Sequence, residues 1–264
     1  LVGSEMCIRD RDRTLEYGGK TVPIYRDRPL NVFSDVDFIW TGEENENQRR
    51  LEYLGGEFRT RYGIDVSSFQ GEIDWDAVAD DNIDFAMVRV GFRGTGTGSL
   101  NTDKYYEQNI RGAMRAGLET GVYFFAQAVT VEEAIEEADY VISLLDGLDI
   151  NGPVAYDWEM HDSTYRVYGT SPEMATACAV AFCERIKDAG YTPMVYGGTY
   201  VTYMKYDQGA LADYLSWYPE YKSEKSEKLC PTLVYHMDYW QFSSSRAVAG
   251  INGRVDMNIQ FIRR

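Results

Sequence analysis

From Tyr62 onward, short apolar runs alternate with amphipathic stretches, and this alternation constrains the fold more than any other feature of the chain. The runs at 63–66, 85–90, 121–126, 154–158 and 194–196 are apolar along almost their whole length, as strands buried on both faces must be. Helical spacing fills the gaps between them. In the clearest case, 172–189, residues Ala175, Cys178, Ala179, Phe182, Ile186 and Ala189 share one face. Thr170 or Ser171 can cap that helix, Pro172 and Glu173 suit its first turn, and Gly190 ends it. Two further helices are predicted over 102–116, stopped by Gly117, and over 131–145, stopped by Gly147. Beyond Leu215 the helical pattern vanishes, and 214–218, 234–242 and 255–261 read as consecutive strands. The chain therefore reads as an α/β barrel that starts as βα repeats and finishes as β.

With 264 residues, 44% of them hydrophobic, the chain by length alone fits either one such barrel or two small domains, and one domain plus a tail is expected. Residues 12–60 are polar and weakly periodic, carry Pro23, Pro29 and the acidic Glu43, Glu44 and Glu46, and read as an extended arm. The expected organisation is an N-terminal extension over 1–61 and a barrel over 62–264. The opening residues 1–13 lack the apolar core of a signal peptide and resemble translated adaptor read-through at the end of a gene fragment. Residues 1–11 are thus expected to be non-native, with any true leader lying upstream.

A net charge of -16 without a basic cluster excludes nucleic acid and anionic membrane as expected partners, because phosphate contacts need grouped Lys and Arg. No run of 18 apolar residues exists to span a bilayer. Cys7, Cys178, Cys183 and Cys230 form no CxxC pair and have no metal-ligand spacing with His161 and His236, so neither a zinc site nor a cofactor is expected. Cys178 and Cys183 lie roughly 140° apart around their helix and should not bond each other.

The segment Val154-Ala155-Tyr156-Asp157-Trp158-Glu159 puts two carboxylates two residues apart at the C-terminal end of a strand, so both leave the same face. Barrel active sites sit at that end. A same-face carboxyl pair, one acid protonated and one charged, is what glycoside hydrolysis uses; an exposed strand end or acids satisfied by Arg would look the same locally. Asp65 ends the first strand and Asp256 begins the last, so barrel closure would bring four carboxylates to one mouth and raise some of their pKa values. The alternatives are that Asp65 caps a turn through Ser67 and Ser68 and that Asp256 pairs with Arg254. Aromatic residues make up 14% of the chain; Tyr123, Phe125, Tyr156, Tyr196, Trp217 and Trp240 are candidates for stacking on sugar faces, and Gln241 for binding an acetamido group. About half of these aromatics are expected to be core, and Trp158 should face the helices. The glycine-rich 94–98 segment lacks the Lys-Ser/Thr of a phosphate cradle and reads as a flexible rim loop, and His161 reads as a surface histidine.

The run Tyr62-Gly63-Ile64-Asp65-Val66-Ser67-Ser68-Phe69-Gln70-Gly71, followed by Ile73-Asp74-Trp75, resembles the opening of the family 25 glycoside hydrolases, the Chalaropsis-type lysozymes. Gly121-Val122-Tyr123-Phe124-Phe125, Tyr156-Asp157-Trp158-Glu159, Met194-Val195-Tyr196, Trp240-Gln241-Phe242 and Val255-Asp256-Met257-Asn258 resemble its later motifs in order, as does 85–91. The resemblance implies a TIM-like flattened barrel of five βα units closed by three further strands. It also implies hydrolysis of the β-1,4 bond between N-acetylmuramic acid and N-acetylglucosamine in peptidoglycan, by a secreted or envelope-associated monomer. By the same likeness Glu159 is the general acid, Asp157 orients the muramoyl N-acetyl group or a water, and Asp65 and Asp256 are supporting carboxylates. Two rivals stand beside this: a barrel that binds walls without cutting, and a glycosidase acting on chitin.

Overall fold

The structure, a computed structural model, describes residues 13–42 and 49–264. Cys7, the opening eleven residues and Glu43, Glu44 and Glu46 lie outside the described residues.

Five βα units come first: β5 (Phe58–Val66) with α1 (Trp75–Asp80), β6 (Phe85–Arg93) with α2 (Tyr106–Arg115), β8 (Glu119–Ala126) with α3 (Val131–Leu144), β9 (Val154–Trp158) with α4 (Pro172–Asp188), and β10 (Pro193–Tyr196) with α5 (Thr199–Met204). Three more strands follow, β11 (Leu215–Pro219), β12 (Tyr239–Arg246) and β13 (Val255–Arg263). The barrel closes in the order β5, β13, β12, β11, β10, β9, β8, β6 and back to β5, while the short β7 (Leu100–Thr102) adds to the edge of β6. All barrel neighbours are parallel except that β13 runs antiparallel to both β12 and β5. This is the barrel of βα repeats finishing as β that the alternation predicts, and the TIM-like architecture that the resemblance implies.

Period-two geometry sorts each strand's side chains into two cores. Phe85, Met87, Ala155, Met194, Tyr196, Trp217 and Tyr239 fill the lumen. Ile64, Val88, Val122, Val154, Tyr156, Trp158 and Trp240 face outward into the main core, which the helices cover. A Cβ at Gly63 would overlap the Phe85 ring, so glycine lets the floor of the lumen close. Helix α4 starts as its sequence dictates: Ser171 accepts the Met174 N–H, Pro172 occupies the first turn, and Gly190 beyond its end takes φ +92°. Cys178, Cys183 and Cys230 are free and buried.

The N-terminal segment departs from the expected extended arm. It forms two hairpins, β1 (Arg13–Tyr17) with β2 (Lys20–Ile24) and β3 (Phe38–Thr41) with β4 (Arg50–Tyr53), laid against the barrel. Gly18 and Gly19, at φ +57° and +73°, make the tight turn of the first hairpin. Phe33 sits among Phe38, Tyr53, Phe58 and Phe261, its ring centroid 4.4 Å from that of Phe261. The Asn31 amide donates to the carbonyls of Pro231 and Leu233, 2.8 Å each. Phe261, Pro231 and Leu233 lie some 200 residues away in sequence from these partners, so no local period advertises the packing. Residues 234–238, expected to open β12, instead line this seam, with Tyr235 bridged to Leu30 and the His236 N–H bonded to the Pro29 carbonyl. Among the described residues no helix is long and apolar enough to cross a membrane.

Candidate active site

The C-terminal ends of the parallel strands and the start of β13 surround one cleft, a cavity of about 250 Å³. Strand register puts Asp65 and Asp256 opposite each other on β5 and β13, so barrel closure joins the two ends of the motif region as expected. Asp157 stands across the lumen on β9, flanked in register by Phe125 and Tyr196, and Glu159 follows at the strand's end. All four carboxyls line the cleft, together with Arg89, Tyr123, Phe125, Tyr196, Trp217 and Gln241.

The candidate aromatics divide by parity. Tyr123, Phe125, Tyr196 and Trp217 share the inward face with Asp157 or its in-register neighbours and line the cleft. Tyr156 and Trp240 do not. Each is adjacent in sequence to an inward residue, Asp157 or Gln241, and so points outward. Tyr156 packs on Phe182 of α4 at 4.8 Å, while Trp240 meets Phe38 of the N-terminal hairpin at 5.4 Å and donates its indole N–H to the Glu220 carbonyl. Both are removed from the sugar-stacking set. Trp158 is outward as expected, its N–H bonded to the Ala128 carbonyl.

The acids fall into two pairs. Asp65 is buried and accepts hydrogen bonds from the Gln241 and Asn258 side-chain amides, 2.8 Å each, on one oxygen. Those amides are themselves held: Tyr196 and Tyr221 hydroxyls donate to Gln241 Oε1 at 3.1 and 3.2 Å, and the Trp217 indole donates to Asn258 Oδ1 at 2.8 Å. Burial raises the Asp65 pKa, the amide bonds oppose it, and the charge of Glu159 adds to it. Asp256, in hydrogen-bonding reach of Asp65, is pushed up to about 9 by burial and then by the Asp65 charge. Asp157 and Glu159 form the second pair. Burial first, and the neighbouring Glu159 second, drive the Asp157 pKa well above the usual carboxylate range. Asp157 Oδ1 is buried and finds no protein hydrogen-bond partner. Like charges this close cannot all ionise, so the cluster retains protons at neutral pH.

Several participants were not singled out from the sequence. Arg89 is the cation of the cleft; Asp103 holds it at 2.8 Å, it donates to Ser68 Oγ at 3.2 Å, and it lies 5.1 Å from the centre of the exposed Phe69 ring. An arginine inside the otherwise apolar β6 run was the available signal. The Gln127 side chain donates to the Glu159 carbonyl at 2.7 Å, and buried Glu137 accepts the Gln127 backbone N–H at 3.0 Å, fixing the end of β9 from behind. His161 is exposed, as expected, yet its Nε2 stands 2.8 Å from Glu159 Oε2 and it lines the cleft. The 94–98 loop is pinned by Arg93 and by the Arg166 backbone rather than free, and it does not line the cleft.

With this geometry in place, the sequence matches the family model "Glycosyl hydrolases family 25" over residues 64–251. The chain belongs to glycoside hydrolase family 25. Its similarity to the autolytic lysozyme of Clostridium acetobutylicum is 26% identity over 197 residues, which are 74% of this chain and 54% of that protein. Lysozyme M1 of Streptomyces globisporus is 27% identical over 201 residues, 74% of this chain and 66% of its own length. Among solved structures, the bacterial lysozyme of Streptomyces coelicolor superposes with a TM-score of 0.61 at 25% identity, over 75% of this family 25 chain and 90% of that one. The chain thus spans about half the length of the clostridial relative and nearly all of the Streptomyces coelicolor barrel.

Proposed function

We propose that this chain is a lysozyme of the N-acetylmuramidase type, hydrolysing the β-1,4 bond between N-acetylmuramic acid and N-acetylglucosamine in peptidoglycan. Asp157 carries the proposal: a buried carboxyl with an elevated pKa and one oxygen without a protein partner, beside Glu159 at the mouth of the barrel. Its unpartnered oxygen suits the acetamido group of an N-acetylated sugar, since a buried polar atom left unpaired costs on the order of 1–3 kcal/mol that such a ligand would recover.

In this mechanism Glu159 protonates the departing O4 while the substrate's own N-acetyl oxygen attacks C1, steered and polarised by Asp157. A cyclic intermediate forms and the glycosidic C–O bond breaks. Glu159, now a carboxylate, takes a proton from the water that opens the ring, giving net retention. Asp157 and Glu159 leave the same end of β9 and sense each other's charge, and the partnerless Oδ1 of Asp157 is available to the N-acetyl group, which supports this route. Asp65 and Asp256 set the field beneath the sugar ring, while Arg89, held by Asp103, favours charge on Asp157. Hydrolysis at a wall places the enzyme outside the cytoplasm or in the envelope, acting as a monomer.

Mass spectrometry of borohydride-reduced peptidoglycan digests tests the assignment. Reduced muramic acid at the new ends is expected. Reduced glucosamine ends, or cleavage of chitin oligomers in preference to wall glycan, would replace it. NMR of the first anomer released should show the β form; an initial α form would remove the N-acetyl route.

A further inference from the structure

Past Trp158 the main chain of β9 has no ladder left to hold it. Its pairing with β8 ends at Ala126 and Trp158, and its pairing with β10 at Tyr196 and Asp157, so Glu159 lies beyond the last strand partner on either side. A carboxyl carried on a free loop would swing with its backbone, and a displacement of about 1 Å at a reacting group costs on the order of 10²-fold in rate. Side chains take over from the ladder here. Gln127 Nε2 donates to the Glu159 carbonyl at 2.7 Å, and the Trp158 indole N–H donates to the Ala128 carbonyl at 3.1 Å.

Gln127 is itself clamped through its backbone. Its N–H donates to Glu137 Oε1 at 3.0 Å, and its carbonyl accepts from Arg166 Nη1 at 2.9 Å. Glu137 stands on the buried face of α3 with Ala134, Ala138 and Val141, a place where an apolar residue is the rule. Arg93 of β6 donates to the same Glu137 oxygen at 2.7 Å, and Glu133 of α3 holds Arg166 at 2.8 Å. Three elements thus converge on one glutamine behind β9. Gln127 and Glu137 are fully buried, and neither lines the acidic cleft. Stability does not call for them. Gln127 Oε1 and Glu137 Oε2 are buried without protein partners, and apolar side chains of similar size would leave no such orphans.

We propose that Gln127 is a positioning residue for the reaction: its amide fixes the backbone of Glu159, and Glu137 aims the amide from α3. This inference rests on the glycosidase reading above. Neither residue touches substrate, so the effect falls on the chemical step and not on binding. The donor is what matters, and the test replaces the donor while keeping the shape.

The full chain is compared with Gln127→Leu and Gln127→Glu on soluble wall glycan across the pH range. Gln127→Leu should lower kcat about 10- to 100-fold at every pH, with KM within about twofold. In Gln127→Glu the introduced carboxyl donates to the Glu159 carbonyl while protonated and repels it once ionised, so kcat should stay near the wild type at acid pH and fall as pH rises. Glu137, pushed up to about 7 by burial and facing Arg93, Glu133 and Tyr156, titrates in all three proteins, so each rate is read as a ratio to the wild type at the same pH. A Leu variant with wild-type kcat, or a Glu variant whose ratio is the same at every pH, would overturn the proposal. Carboxyl-carbon NMR of Glu159, assigned by its loss in Glu159→Gln, needs no turnover. Its signal should move in Gln127→Leu, and in Gln127→Glu only as the introduced carboxyl ionises; a signal unmoved in both refutes the positioning. A wild type that shows these changes yet cuts no glycan would support the placement of Glu159 and count against the glycosidase reading alone.

Discussion

Replacing Asp256 by Asn removes one carboxyl from the Asp65–Asp256 pair while keeping a similar shape and a hydrogen-bond donor. In the folded protein Asp256 titrates at about 9 against an ordinary 3.8, so between these limits the folded chain holds a proton that the unfolded chain has released. The folded pKa is raised, so the stabilisation is full below about pH 4 and is lost as pH climbs toward 9. One retained proton gives a slope of about 1.4 kcal/mol per pH unit, so the wild type should lose about 4 kcal/mol from this source between about pH 5 and 8. The amide cannot titrate. Urea unfolding of both proteins at unit pH steps should therefore show the variant gaining on the wild type by up to about 1.4 kcal/mol per unit, with partial solvent access at Asp256 reducing the figure. Parallel stability curves across that range would refute a shared proton in this pair.

Asp157→Asn should reduce kcat on peptidoglycan by about 10²-fold or more with little change in binding, and undiminished turnover would remove the acetamido-orienting role. Asn258→Leu leaves buried Asp65 with one amide donor instead of two and the Trp217 indole without its acceptor, so thermal unfolding should report a loss of about 2–4 kcal/mol. Phe58→Ala should cost about 3–5 kcal/mol, because Phe58 is 3% exposed, stacks on His236 at 4.9 Å and joins the aromatic cluster under the N-terminal hairpins. A loss below about 1 kcal/mol would mean those hairpins are only loosely attached.

Much of this molecule is legible in its sequence because a barrel strand, buried on both faces, must be apolar throughout. Strand β9 was predicted at its observed bounds, 154–158, and the meeting of Asp65 with Asp256 followed from closing first strand on last. The errors have equally physical origins. Parity places Trp158 correctly and, counted two residues back along β9 and one back from Gln241 on β12, sends Tyr156 and Trp240 outward too. The N-terminal hairpins escaped because strands of four or five residues carry too short a pattern, and because Phe33 and Phe38 pack on Phe261 and Trp240, some 200 residues further along the chain. His161 lies beyond the end of β9, where backbone direction and not strand period decides what it meets, and its contact with Glu159 had no local signal.

The assignment of Glu159 as the acid is tested most directly by following the clearing of a bacterial wall suspension with wild type and Glu159→Gln, together with sedimentation of each protein with the walls. The wild type should clear the walls, and Glu159→Gln should lose roughly 10²- to 10⁴-fold in rate with unchanged co-sedimentation. A variant that clears walls at the wild-type rate, or a wild type that binds them without clearing, would contradict it.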